Sequence, residues 1–256
     1  MRISHCLVAV VCVLGMNRTL GATAPAMIAK ARSFYGAEVD LNAIRSIHYR
    51  GRLTSTESQP EGKPTSVEAR VEIIVQKPYQ QRIVATAPEK VEITALDDYE
   101  GWQRIEDPRN REFGRMGLLS KEQVKRLRAN TWEQLAFYKG IEQKGGAVID
   151  HGLVDLDGKT ARKLEFVHDE DIIFTRYFDP VSGQLLQTET EQGARIREDG
   201  ELRAGGVRFP QRVITTLLLA NGTLRVVTVE FDSVTVNGTF SHEQFRVPFM
   251  TARWTP

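Results

Sequence analysis

Val67-Glu68-Ala69-Arg70-Val71-Glu72-Ile73-Ile74-Val75 is the stretch on which the reading of this chain turns. Side chains 67, 69, 71, 73 and 75 are apolar and fall on one side of an extended backbone, while Glu68, Arg70 and Glu72 fall on the other. A period of two predicts a strand with one buried face and one wet face. Pro78 ends it. Working outward, the spans 45–56, 79–86, 90–96 and 101–105 have strand content, and the polar run Gln59-Pro60-Glu61-Gly62-Lys63-Pro64 turns the chain between the first strand and the second. Further strands are predicted at 147–156, 160–168, 171–178, 184–191, 194–203, 206–219 and 223–236. Asp157-Gly158, Asn221-Gly222 and Asn237-Gly238 mark hairpins, because positive φ is cheap for these pairs. Asp179-Pro180-Val181-Ser182-Gly183 makes a longer turn.

Two segments break the pattern. From Ala24 to about Gly36 a helix is predicted, with Pro25 in its first turn and Met27, Ala31 and Phe34 along one face. From Ser120 to about Gly140, Ser120 and Gln123 form a capping box, and Val124, Leu127, Thr131, Leu135 and Tyr138 recur at helical spacing. Asn130-Thr131 is a point at which this second helix can divide. The fold class read from these elements is mainly β (α+β), a sandwich or a strongly curved antiparallel sheet of about eleven strands.

The amino end is read as an address. Arg2 and His5 precede an apolar run from Cys6 to Met16, and Leu20-Gly21-Ala22 offers small residues for cleavage. This is the layout of a secretory signal peptide over 1–22, its run far short of the roughly 20 residues a membrane span needs. The remainder, 23–256, is read as one domain, since no repeat or linker divides it. Both cysteines leave with the signal, so no disulfide is expected, and a soluble exported protein follows. Loss of Arg2 and Arg18, with no acid, moves the formal balance of this 256-residue chain from +1 to −1. A near-neutral total gives no reason to expect nucleic acid.

Catalytic motifs are scarce. The sequence has no Gly-x-Ser-x-Gly elbow, no phosphate-cradling glycine loop and no His-Glu-x-x-His, so neither a cofactor nor a metal is expected. His48, His151, His168 and His242 stand singly; Asp155-x-Asp157-Gly158 starts like a calcium loop but lacks its later ligands, and a hairpin turn is the plainer reading. Abundant carboxylates leave open a pair brought together from distant strands. Between Arg104 and Arg128 eight basic residues face four acids, and Arg109, Arg111, Arg115, Lys125, Arg126 and Arg128 are candidates for a surface that meets a headgroup or an acidic partner.

The order of elements, with several local motifs, resembles the LolA/LolB-like lipoprotein-sorting superfamily. The motifs are Val75-Gln76-Lys77-Pro78-Tyr79, Asp97-Asp98-Tyr99-Glu100-Gly101-Trp102, Val154-Asp155-Leu156-Asp157-Gly158, Phe178-Asp179-Pro180-Val181-Ser182-Gly183, Gly206-Val207-Arg208-Phe209-Pro210, and Phe240 to Pro248. The likeness spans about 24–248. It implies an incomplete barrel whose concave side is closed by the N-terminal helix and the central helical insertion, and a monomeric periplasmic carrier of a lipid or lipoprotein acyl chain in a Gram-negative-type envelope. It also implies that Lys77 stands where the best-known carrier has a functional arginine, from which lysine differs in geometry. Alternation nominates Val71, Ile73, Val75, Leu217, Val229 and Phe231 as cavity residues, with Trp102, Trp132 and Phe137 at the lid or rim. Competing readings are a non-catalytic envelope module that binds a membrane-associated protein or senses lipid, and a hydrolase using concave-face carboxylates.

Overall fold

The computed structural model describes residues 23–60 and 62–248. The expected signal peptide and both cysteines lie outside the described residues. The chain begins with α1 (Ala24–Tyr35) and a short α2 (Glu38–Ala43). A first meander follows: β1 (Ser46–Ser58), β2 (Thr65–Gln76), β3 (Gln80–Ala87), β4 (Lys90–Asp97), β5 (Glu100–Asp107) and β6 (Asn110–Leu118). Then comes α3 (Lys121–Ala136). The second meander is β7 (Ala147–Leu156), β8 (Lys159–Asp169), β9 (Ile172–Phe178), β10 (Leu185–Thr190), β11 (Arg195–Asp199), β12 (Leu202–Ala204), β13 (Val207–Phe209), β14 (Arg212–Leu218) and β15 (Leu224–Val236).

Thirteen of these strands form one antiparallel sheet in the order β6-β5-β4-β3-β2-β1-β15-β14-β11-β10-β9-β8-β7, and β12 with β13 forms a small second one. The first meander therefore runs outward from the middle to one edge. The chain reaches the opposite edge through α3, and the second meander returns to pair β15 with β1 over twelve register positions. A connection between the two edges of a curved sheet must cross its open side, and α3 does so. The sheet is an incomplete barrel whose edges, β6 and β7, do not pair with each other.

Sequence and structure differ at instructive places. β6 and α2 are unmarked in the sequence because α2 spans only six residues and the apolar residues of β6 do not alternate. The spans 194–203 and 206–219 each divide into two strands, and the pieces β12 and β13 make the small second sheet, while β6 brings the main sheet to thirteen. α3 is one helix, not two: Thr131 is fully buried and its hydroxyl donates to Leu127 O at 2.8 Å. The capping box forms as expected, with Gln123 N donating to Ser120 Oγ at 3.3 Å and Ser120 N to Gln123 Oε1 at 2.9 Å.

The concave face carries two apolar clusters. Ile47, Tyr49, Val75, Phe231 and Val234 of the sheet meet Tyr35, Leu135 and Phe137 in one. Leu164, Phe166, Phe174 and Phe178 meet Met27, Ala31, Ala129 and Ile141 in the other. α1 thus holds both halves together. On β15 the alternation slips by one residue: Gly51 pairs with Phe231 and Arg50 with Ser233, so Asp232 bulges and both Phe231 and Val234 face inward. At Gly51 the strands approach so closely that a Cβ would lie 2.1 Å from Glu230 O. Gly51→Ala should therefore force β1 and β15 apart at the centre of the sheet and cost about 2–3 kcal/mol. A thermal melt by circular dichroism should show a fall of roughly 5–10 °C; an unchanged melting point would show that the bulge absorbs the methyl group.

Candidate functional site

The clusters do not fill the whole concave face. Beyond the reach of α3, the outer halves of β1, β2, β3 and β15 leave an open groove of about 590 Å³. Its floor is Leu53, Val67, Ala69, Ile83, Ala85 and Val227, and charged side chains stand at its rim. The rim is ion-paired: Arg225 Nε lies 2.8 Å from Glu57 Oε1, and Lys90 Nζ lies 2.9 Å from Glu92 Oε2. Val67 is 60% exposed, so the strand that announces the fold in the sequence ends in open apolar surface. A volume of several hundred cubic ångströms with an apolar floor and a few polar groups is usual for a small-molecule site.

The nominated residues are placed differently. Val71 and Val75 are buried, Val75 in the first cluster, with Ile73 and Val229 packed against it. Phe231 stacks on Tyr49 with ring centroids 4.5 Å apart. Leu217 is half-buried on β14 opposite Arg225. Trp102 is buried on the opposite, convex face, where Nε1 donates to Phe245 O at 2.8 Å and anchors the C-terminal tail. Phe137 belongs to the first cluster at the C-cap of α3. Trp132 lies on the outer side of α3, with Lys144 Nζ 5.6 Å from its ring centroid. Val71, Ile73 and Val75 share a face of β2 with Val67 and Ala69, and the groove lies two to four residues nearer the start of the strand, where the helices no longer cover it.

The basic surface is largely answered by acids distant in sequence. Lys125 pairs with Asp169, Arg126 with Glu191 and Arg128 with Asp98. Arg109 lies 3.8 Å from Glu89, and Arg115 stands opposite Ile105 at the β6 edge; the side chain of Arg111 is outside the described set. Arg128 also lies between the rings of Tyr79 and Tyr99, 4.0 and 3.7 Å from their centroids. Burial, then Arg45 and Arg32, lower the pKa of Lys77.

Beneath α3 a second, smaller cavity of about 190 Å³ has largely aromatic and aliphatic walls into which a few charged side chains reach. Glu133 of α3 enters it and is 8% exposed. Its Oε1 lies 2.6 Å from His168 Nε2 and its Oε2 accepts from Arg176 Nη1 at 2.7 Å. Burial works against the ionised form, but Arg176 and His168 outweigh it and hold the carboxyl below the usual range. Glu198 lines the same cavity from β11 and accepts from Tyr35 Oη at 3.2 Å. Burial pushes its pKa up, against the pull of the Tyr35 hydrogen bond and Arg176. A raised carboxyl favours the fold fully below the ordinary value near 4.5 and loses that contribution as pH rises through the raised value. Glu198→Gln should therefore be more stable than the parent at pH 8 and match it at pH 4. Urea titrations at both pH values test this; equal stabilities at pH 8 would place the charge in water.

These two carboxyls are shifted in opposite directions, as an acid and a base would be, yet both oxygens of Glu133 are engaged. Among the described residues no three His, Cys, Asp or Glu side chains come together as a metal site, and no helix is long and apolar enough to cross a membrane.

No family model and no curated protein matches this sequence. Solved structures do. A LolA superfamily protein from Nitrosomonas europaea is 13% identical, with a TM-score of 0.56, over 88% of this chain and 98% of its own. A domain from Vibrio parahaemolyticus named for outer membrane lipoprotein sorting is 8% identical, with a TM-score of 0.53, over 85% and 95%. A DUF1329 family protein from Desulfovibrio piger is also 8% identical, with a TM-score of 0.53, over 87% and 96%. The chain shares its fold with these three proteins.

Proposed function

We propose that this protein carries a lipid or a lipoprotein acyl chain in the cell envelope, with the apolar groove on the concave face as its binding site. The observation that carries this reading is the open floor of Leu53, Val67, Ala69, Ile83, Ala85 and Val227. Apolar surface left uncovered by its own helices gains about 0.8 kcal/mol for each methylene it buries. Likeness in fold to a lipoprotein-sorting domain supports the same reading. In this scheme residues 1–22 are removed on export, 23–256 form one half-barrel domain, and the mature protein is a soluble periplasmic monomer. A membrane-associated partner would deliver or accept the chain, with the region around Arg126 and Arg128 as its docking surface. Carriage needs no nucleophile or metal.

Native mass spectrometry of protein purified from an envelope fraction tests the proposal: adducts of lipid mass are expected, and Ala69→Glu should remove them. The groove is open, so the added carboxylate stays hydrated and the melting point should hold within a few degrees, while the cost of placing a chain beside it should lower occupancy at least tenfold. Lipid retained by Ala69→Glu would move the site elsewhere. A protein that never carries lipid would favour the second reading, a non-catalytic envelope module that binds a protein, which the dense aromatic packing under the helices also fits.

A further inference from the structure

The cavity beneath α3 shares no lining residue with the groove, so carriage of an acyl chain in the groove does not account for it. Its carboxylates are shared. Glu133 serves both Arg176 and His168. Glu201, at the outer end of Arg208, serves both Arg208 and Arg203. Glu198, the remaining acid on the wall, makes its hydrogen bond with Tyr35 and forms no ion pair with either guanidinium. The two guanidiniums that reach the cavity, Arg176 and Arg208, each keep a buried Nε without a hydrogen-bond partner. Arg176 is 8% exposed and rests between Phe166 and Tyr138, 4.6 and 4.8 Å from their ring centroids. Glu133 takes only its Nη1, which leaves the Nε–Nη2 side of the fork, the edge that suits two oxygens of one anion.

We propose that this cavity is a binding site for a single oxyanion, a carboxylate or a phosphate, with Arg176 and Arg208 as its charge partners. At about 30 Å³ per water the space corresponds to roughly six waters, room for such a head with some of its hydration. Glu198 faces it beside Tyr35 of α1, Tyr138 just after α3, Tyr49 of β1, Arg176 of β9, Arg208 of β13 and Glu133 of α3. Protonated, Glu198 donates a hydrogen bond to the anion; ionised, it repels it. Binding therefore takes up a proton and weakens as pH rises.

Isothermal titration of the purified full chain tests this with three probes: inorganic phosphate, dodecanoate and dodecanol. Dodecanoate bound at least tenfold more tightly than both others identifies a lipid head; phosphate bound as tightly as dodecanoate identifies a free ion. In either case Arg208→Gln, half-exposed and outside both apolar clusters, should fold and weaken the anion about tenfold while leaving dodecanol unchanged. Glu198→Gln should keep the affinity measured at low pH and flatten its fall as pH rises above the ordinary carboxyl range. Absence of anion binding by the parent, or Arg208→Gln within twofold of it for both anions, overturns the proposal. Dodecanol retained by Arg208→Gln but lost by Ala69→Glu keeps the groove reading separate from this one.

Discussion

Glu133→Ala is expected to cost about 3–5 kcal/mol, among the largest losses open to a single change in this fold. The reason lies in what remains behind. Arg176, 8% exposed, loses the one carboxylate on its Nη1 and already has no partner on Nε. His168 loses its partner at 2.6 Å in the same stroke. A guanidinium left among Phe166, Phe174 and Tyr138 keeps only ring contacts, and these do not replace hydration. The pair itself is not thereby a net source of stability: Glu133→Leu combined with Arg176→Met should recover more than half of the loss, because no charge is then stranded. Urea denaturation of the parent, Glu133→Leu, Arg176→Met and the double variant yields the coupling. A cost below about 1 kcal/mol for Glu133→Ala would mean that water reaches Arg176 freely. The pH dependence has a definite sign. With its carboxyl held below the ordinary range, Glu133 contributes fully above pH 4.5 or so and loses the contribution as pH falls through the lowered value, the opposite course to Glu198.

That contrast marks the boundary of what was legible in the sequence. Local rules gave the period of two in β2, the capping box of α3, the α1 face and the Asp157-Gly158 hairpin, where φ is 52° and 80°. These depend on neighbours within a few residues. The groove required a further fact, where α3 stops covering the face that β2 presents; alternation along one strand holds no information about a helix 50 residues later. The cavity under α3 was further out of reach. Glu133 lies two residues from the apolar spacing Thr131-Leu135 and looks like an ordinary solvated helix residue. Its partners, 35 and 43 residues away, reach it only because the chain crosses from one sheet edge to the other. The same crossing sets Asp98, Asp169 and Glu191 against Arg128, Lys125 and Arg126, so a stretch that looks basic in the sequence is close to balanced in space. The slip at Asp232 similarly hides Phe231 and Val234 from a strict two-residue count.

Arg32→Ala should bring the second large effect, and its readout concerns motion as much as stability. Arg32 is 3% exposed on α1. Its Nη1 donates to Ala136 O at 2.7 Å and Phe137 O at 2.9 Å, its Nε to Glu38 Oε1 at 3.0 Å, and its Nη2 to Asn42 Oδ1 at 3.1 Å. One guanidinium thereby ties together α1, α2 and the end of α3. That end is left-handed at two successive aromatic residues, Phe137 at φ 48° and Tyr138 at φ 69°, a conformation costing of order 1–2 kcal/mol per residue. Surrounding contacts must hold it, and Arg32 supplies the polar ones. Without it Phe137 O loses its guanidinium donor and Ala136 O keeps only Lys139 N at 3.2 Å, and about 3 kcal/mol of local stability should go with the lost bonds. Opening of α3 from α1 then becomes roughly a hundredfold more frequent. Hydrogen exchange at residues 133–138 should accelerate by that factor while exchange in β1 and β15 stays near the parent rate. Arg32→Lys should fall between the two, because a single ammonium cannot span the carbonyls and the Glu38 fork together. Uniform acceleration across β1, β15 and α3 would instead make Arg32 a part of global stability. Confinement to the end of α3 would make it the latch of the concave side, and any ligand lying under these helices should then leave faster from the Arg32→Ala protein.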